Sequence, residues 1–175
     1  AFVPGLNVSV DYFNIKVDKL VGSVNPNLSM SNCLATGDAF FCDRINRGQG
    51  GSLFLFEDGY FERFNINTGS LTTSGVDLNI NYRYDLAKMG DLKFNFVGTY
   101  LAEYESKPLP NSPESDIFDC KGLYGGLCGR PRPEWRHKFL TTWYAPSDLS
   151  VSVTWRYISS VDIAQTSSQP ALSGS

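Results

Sequence analysis

A chain of 175 residues, 42% hydrophobic, 14% aromatic and 19% charged, has the material for one domain with a sizeable core, and nothing in it has the composition of a disordered protein. A net charge of −3 without any basic run leaves no electrostatic case for nucleic acid, so no nucleic-acid partner is expected. No window holds the roughly 18 uninterrupted apolar residues of a spanning helix, which leaves strands as the only route by which such a chain crosses a bilayer.

In chain order the pattern is that of strands. "GLNVSVDYFNIKVDKLV" puts Leu6, Val8, Val10 and Tyr12 on one face, then switches parity to Phe13, Ile15 and Val17, which suggests a bulge or a change of surroundings near Tyr12. Residues 25 to 50 form a polar loop with Cys33 and Cys42 and a short helical turn expected around Leu34 to Arg44. "SLFLFEDGYFERFN" reads as a small hairpin turning at Asp58-Gly59. Next, Val76, Leu78, Ile80, Tyr82 and Tyr84 alternate with Asp77, Asn79, Asn81 and Arg83. After the short turn "DLAKMGD", Leu92, Phe94, Phe96, Gly98 and Tyr100 alternate with Lys93, Asn95 and Thr99. Residues 106 to 133 are a second long loop, rich in Pro and Gly, with Cys120 and Cys128. The last two strands flank "APSD": Arg136 and Lys138 mark the polar side of the first, and Val151, Val153, Trp155 and Tyr157 oppose Ser152, Thr154 and Arg156 on the second.

Alternation alone does not say which face is wet, because a soluble sheet turns its apolar face to a core and a membrane barrel turns it to lipid. The connections discriminate. Long and short ones alternate strictly, so in an antiparallel meander the long loops share one end and the tight turns share the other, as in an outer-membrane barrel. About 10 residues at roughly 3.3 Å each, tilted by about 45°, rise roughly 23 Å and match an apolar band about 25 Å tall, a span that Val76 to Asp85 fits. Tyr82, Tyr84, Trp143 and Tyr144 fall near the short turns, and Tyr100, Tyr104, Trp135 and Tyr157 near the long loops, where interfacial girdles belong. The expected fold is therefore all-β, an antiparallel meander forming part of a transmembrane β-barrel. Val76, Leu78, Ile80, Tyr82, Tyr84, Leu92, Phe94, Phe96, Val151, Val153, Trp155 and Tyr157 face lipid; Asp77, Asn79, Asn81, Arg83, Lys93, Asn95, Arg136, Lys138 and Arg156 face the lumen. That polar face mixes both signs of charge, which argues against a strongly ion-selective pore.

Several stretches, in this order, resemble the TonB-dependent receptors, the active importers of the Gram-negative outer membrane: "VSVDYFNIKVDKLV", "CLATGDAFFCDRI", "NINTGSLTTSGVDLNINYRYDL", "GTYL" and "FDCKGLYGGLCGRPRPEWRHKFLTTWY". Together they look like the C-terminal part of such a receptor's barrel. The resemblance implies a barrel of about 22 strands, a plug domain inside it, and energy supplied by an inner-membrane coupling complex through an N-terminal box. Five membrane-length strands are an odd number, and an open sheet exposes two unpaired edges to lipid, so residues 1–175 are expected to be one partial barrel domain, plus an extracellular hairpin, of a longer receptor.

Of the three pairings that four cysteines allow, only Cys33 with Cys42 and Cys120 with Cys128 is local in both loops, and such disulfides require an oxidising, periplasmic or external setting. A zinc site is the rival, but its Cys-x2-4-Cys spacing is missing. No enzyme and no cofactor are expected. His137 stands between Arg136 and Lys138, a charged context that disfavours a neutral base. Glu114, Asp116 and Asp119 invite a calcium reading but lack the EF-hand glycine and spacing, and are read as solvated. The glycines of "GQGG" and "GLYGGLCG" join no strand to a helix and precede no Lys-Ser/Thr. Two functions remain. One is an outer-membrane receptor segment whose loops, through Tyr124, Arg130 and Trp135, capture a ferric siderophore, a cobalamin or an oligosaccharide. The other is a secreted, disulfide-bonded β-sandwich that binds carbohydrate or surfaces.

Overall fold

Where apolar and polar residues alternate, the chain forms strands. The computed structural model describes residues 3–22, 24–53, 58–63, 65–67, 69–109 and 116–173, and its long strands are β1 (Leu6–Asp18), β2 (Ser70–Asp85), β3 (Asp91–Lys107), β4 (Trp135–Tyr144) and β5 (Ser150–Ile158). They pair in sequence order, each antiparallel to the next, and β1 and β5 are the sheet's two edges. The tight turns at 86–90 and 145–149 lie at one end of this meander, and the long connections at 19–69 and 108–134 at the other. At the first turn Gly90 has φ 86°, and a Cβ there would meet the Tyr144 carbonyl, so only glycine fits.

Strands β2 and β3 continue past the expected span toward the loop end, where one irregularity interrupts them. Gly75 pairs with Leu101 and Ser74 with Glu103, which leaves Ala102 as an extra residue on β3. The bulge expected near Tyr12 is absent: β1 pairs with β2 without a register shift from Leu6 to Asp18. The parity switch instead carries Phe13, Ile15 and Val17 to the opposite face. There the Phe13 ring covers Gly75, whose missing Cβ would lie 2.5 Å from Phe13 Cζ.

The first long connection is built around two helices. The 11-residue helix α1 (Pro26–Thr36) starts well before the expected position and overlaps it only at 34–36, while the short α2 (Ala39–Cys42) lies wholly inside it. Its signals are end signals rather than periodicity: Asn25 Oδ1 accepts from the Asn27 amide at 2.8 Å, Pro26 opens the helix, and Gly37, at φ 66°, closes it. The Cys33–Cys42 disulfide ties α1 to α2. Tyr60–Phe61, the second arm of the expected hairpin, pairs with Ile45–Asn46; 54–57, in its first arm, lie outside the described residues.

The buried core lies in the loops, not in the sheet. Phe118, Cys120, Leu123, Cys128, Ala164 and Leu172 form one cluster, with Ala164 and Leu172 at 0% exposure. The chain reaches it from two directions. Phe118–Asp119 adds to β3, while Asp162–Ile163, beyond β5, runs parallel to Leu123–Tyr124. Gln169 locks the crossing, accepting from the Asp119 amide and donating to its carbonyl, each at 2.7 Å. The Cys120–Cys128 disulfide closes the same unit.

Candidate functional site

Register sorts the sheet's side chains into two faces, since directly paired residues share a face. One face carries five rows across the sheet. Tyr84, Leu92, Trp143 and Val151 are nearest the tight turns. Then come Leu6, Tyr82, Phe94, Thr141 and Val153, followed by Val8, Ile80, Phe96, Phe139 and Trp155. The fourth row is Val10, Leu78, Gly98, His137 and Tyr157, and the last is Tyr12, Val76, Tyr100 and Trp135. All twelve residues expected to face lipid are here. Along both edge strands this face is open: Val10 is 64% exposed and Tyr12 68% on β1, and Val153 66% and Trp155 63% on β5, values that a second sheet laid over these edges would not leave.

The apolar rows stop abruptly. Beyond Tyr12, Val76 and Tyr100 the same face continues as Asn14, Lys16 and Asp18 on β1, Ser74, Thr72 and Ser70 on β2, and Glu103, Glu105 and Lys107 on β3. At the other limit, Trp143 Nε1 donates to the Met89 carbonyl at 2.8 Å and so fixes its ring beside the turn. Two aromatics expected in the girdles, Tyr104 and Tyr144, sit on the opposite face, because Tyr104 pairs with Thr73 and Tyr144 with Asp91.

His137 belongs to the apolar face, and its sequence neighbours mislead. Strand alternation turns Arg136 and Lys138 to the other side. The imidazole lies among Phe96, Trp135, Trp155 and Tyr157, with centroids 5.2 to 6.3 Å away, and its Nδ1 accepts from Trp135 Nε1 at 2.8 Å. Gly98 makes room for the cluster: a Cβ there would lie 2.6 Å from the Trp135 ring.

The opposite face is polar and internally bonded. Asn95 donates to Asn81 at 2.8 Å, Asn81 to Asn79 at 2.9 Å, and Thr99 to Asp77 at 2.7 Å. Arg83 and Asp91 form an ion pair at 2.7 Å near the tight turn. All nine residues expected to face the lumen lie on this side. The charges are not evenly spread. Asp11 and Asp77 pair across β1 and β2, whereas Lys138 pairs with Arg156 across β4 and β5, with Arg136 two residues along.

The three residues expected in the ligand loop are not gathered at one place. Tyr124 is in the short parallel pair of the loop unit, Arg130 is exposed beyond it, and Trp135 lies on the apolar face over Gly98. Asp119 is structural rather than solvated: its Oδ1 accepts from the amides of Tyr104 at 3.0 Å and Lys121 at 2.8 Å. Glu114 lies outside the described residues, and among those described no His, Cys, Asp and Glu cluster forms a metal site. Comparison with protein-family models, curated proteins and solved structures returns no match.

Proposed function

We propose that the chain is part of the barrel of a TonB-dependent receptor in the bacterial outer membrane, which imports a scarce nutrient such as a ferric siderophore, a cobalamin or an oligosaccharide. The observation that carries this reading is the bounded apolar band. From Tyr84 to Val76 is eight residue steps, since 84 − 76 = 8. At about 3.3 Å per step and a tilt of about 40°, the band is about 20 Å high, close to the apolar belt of outer-membrane barrels. Aromatic rings bound it on both sides, and charged residues follow on the same face.

The other features fit this reading. In lipid the unpaired edges of β1 and β5 need neighbours, which the rest of such a barrel supplies. The polar face then meets water and a plug domain, and the disulfide-bonded loops lie outside the cell. The inner-membrane coupling complex acts through the plug. A secreted sandwich, by contrast, needs a second sheet over the apolar face, and none covers it among the described residues.

Cell fractionation tests the reading. The protein is expected with detergent-extracted outer membranes, and cells lacking it are expected to lose uptake of one of the three nutrient classes. Recovery in the culture supernatant would exclude the receptor.

A further inference from the structure

Under the loops, on the polar face, lies a cleft of about 250 Å³ roofed by Pro131 to Pro133. Its walls pair two kinds of group. Arg132 and Arg136 supply two guanidinium groups, with the Thr73 hydroxyl as a further donor, while Phe13 and Tyr104 supply aromatic surface. No carboxylate lines it among the described residues. Arg132 is held from both sides by its backbone, donating to the Leu123 carbonyl at 3.0 Å and accepting from the Gly122 amide at 2.7 Å. Its guanidinium stacks 4.3 Å over the Tyr104 ring, and its buried Nε finds no acceptor among the described residues.

The obvious counter-ions are engaged or distant in register. Asp119, which joins the Tyr104 segment, spends its Oδ1 on two backbone amides, and Asp77 accepts from Thr99. Below the cleft the positive charge continues. Lys138 faces Arg156 directly, an arrangement that repels unless an anion lies over it. No ion pair joins Arg136, Lys138 or Arg156 to a described residue, and the polar-face residues of β4 and β5 include no acid. A buried guanidinium Nε without an acceptor, a second arginine lining the same cleft and a like-charged pair beneath are all relieved by one ligand type, since arginine forks match planar oxyanions.

We propose that this cleft binds a small carboxylate- or phosphate-bearing molecule, with Arg132 and Arg136 gripping the oxyanion and Phe13 and Tyr104 packing its apolar part. The site would be the ligand station of the receptor proposed above. It rests on that reading only for the side from which the ligand arrives, because a titration of solubilised protein detects anion binding whether or not anything is imported.

The test is calorimetric titration of the detergent-solubilised protein with citrate, phthalate and inorganic phosphate, with maltose as the uncharged control. At least one anion is expected to bind and maltose to give no heat. Arg136→Gln and Arg132→Gln should each weaken binding at least tenfold, while Arg83→Gln, which removes a cation already paired near the tight turn, leaves it within twofold. Arg136 is exposed on its strand, so Arg136→Gln is expected to keep the circular dichroism spectrum of the parent and to report on the site rather than on folding. Failure of all three anions to bind, or binding indifferent to both substitutions, overturns the proposal.

Discussion

Val8→Arg is expected to destabilise the protein in lipid vesicles by about 2–4 kcal/mol, the cost of a lipid-facing arginine near the bilayer midplane of a barrel. Val8 is 51% exposed and stands in the middle row of the apolar band, opposite Ile80. Ser9→Arg, one residue on and on the other face, should cost under about 1 kcal/mol, because a surface substitution there meets water. Ser9 already donates to Asp11 at 3.0 Å, and an arginine would gain a nearby carboxylate in its place. Denaturant titration of both variants in vesicles reads the difference. In a soluble protein of this fold both substitutions fall within about 0.5 kcal/mol of the parent, since each side chain is already open to solvent.

Leu172→Ala is expected to open the loop unit without loosening the sheet. Leu172 is fully buried against the cluster containing Phe118, Cys120 and Leu123, and removing a buried leucine side chain costs about 2–5 kcal/mol where the site relaxes little. The cost falls on one small unit. Segment 162–173 is held to it by the short parallel pair, by Gln169 and by the burial of Leu172. Hydrogen exchange followed by mass spectrometry should show faster exchange across 118–128 and 162–173, with β1 to β5 protected as before. Unchanged exchange in both segments would mean that the cluster does not hold the loops.

The two expectations fall in separate parts of the molecule. In the proposed receptor a bilayer would provide the environment for the sheet's apolar band, whereas the loop unit supplies its own core and two cross-links. That division suits a surface receptor, whose loops are exposed to the medium and gain from covalent closure. By the chain-entropy estimate, closing a loop of about nine residues contributes about 3 kcal/mol.

Much of the sheet was legible because strand periodicity is local. Val76 to Tyr84 and Leu92 to Tyr100 each show their face without reference to any partner, and pairing adds only the register. The disulfides were legible because each closes within its own connection. The helix α1 was not, since only Ser29 of it is buried and it carries no apolar stripe; its caps at Asn25 and Gly37 were the available signal. The loop core was not either, because Leu123 and Leu172 meet through a segment that returns after β5, and nothing local encodes that meeting. His137 was misread for a different reason. Its charged neighbours are adjacent in sequence but opposite in space, and the period-two rule that sorted Val76 to Tyr84 and Leu92 to Tyr100 applies to it equally.

The claim on which the rest depends is that the face bearing Trp155 meets hydrocarbon. Lipids brominated along their acyl chains quench only tryptophans that touch them, and the fluorescence removed by Trp155→Phe isolates this one ring. Reconstituted protein should show that component quenched most strongly by bromines deep in the acyl chain and poorly by aqueous acrylamide. Quenching of the same component by acrylamide, with no response to brominated lipid, would contradict the account.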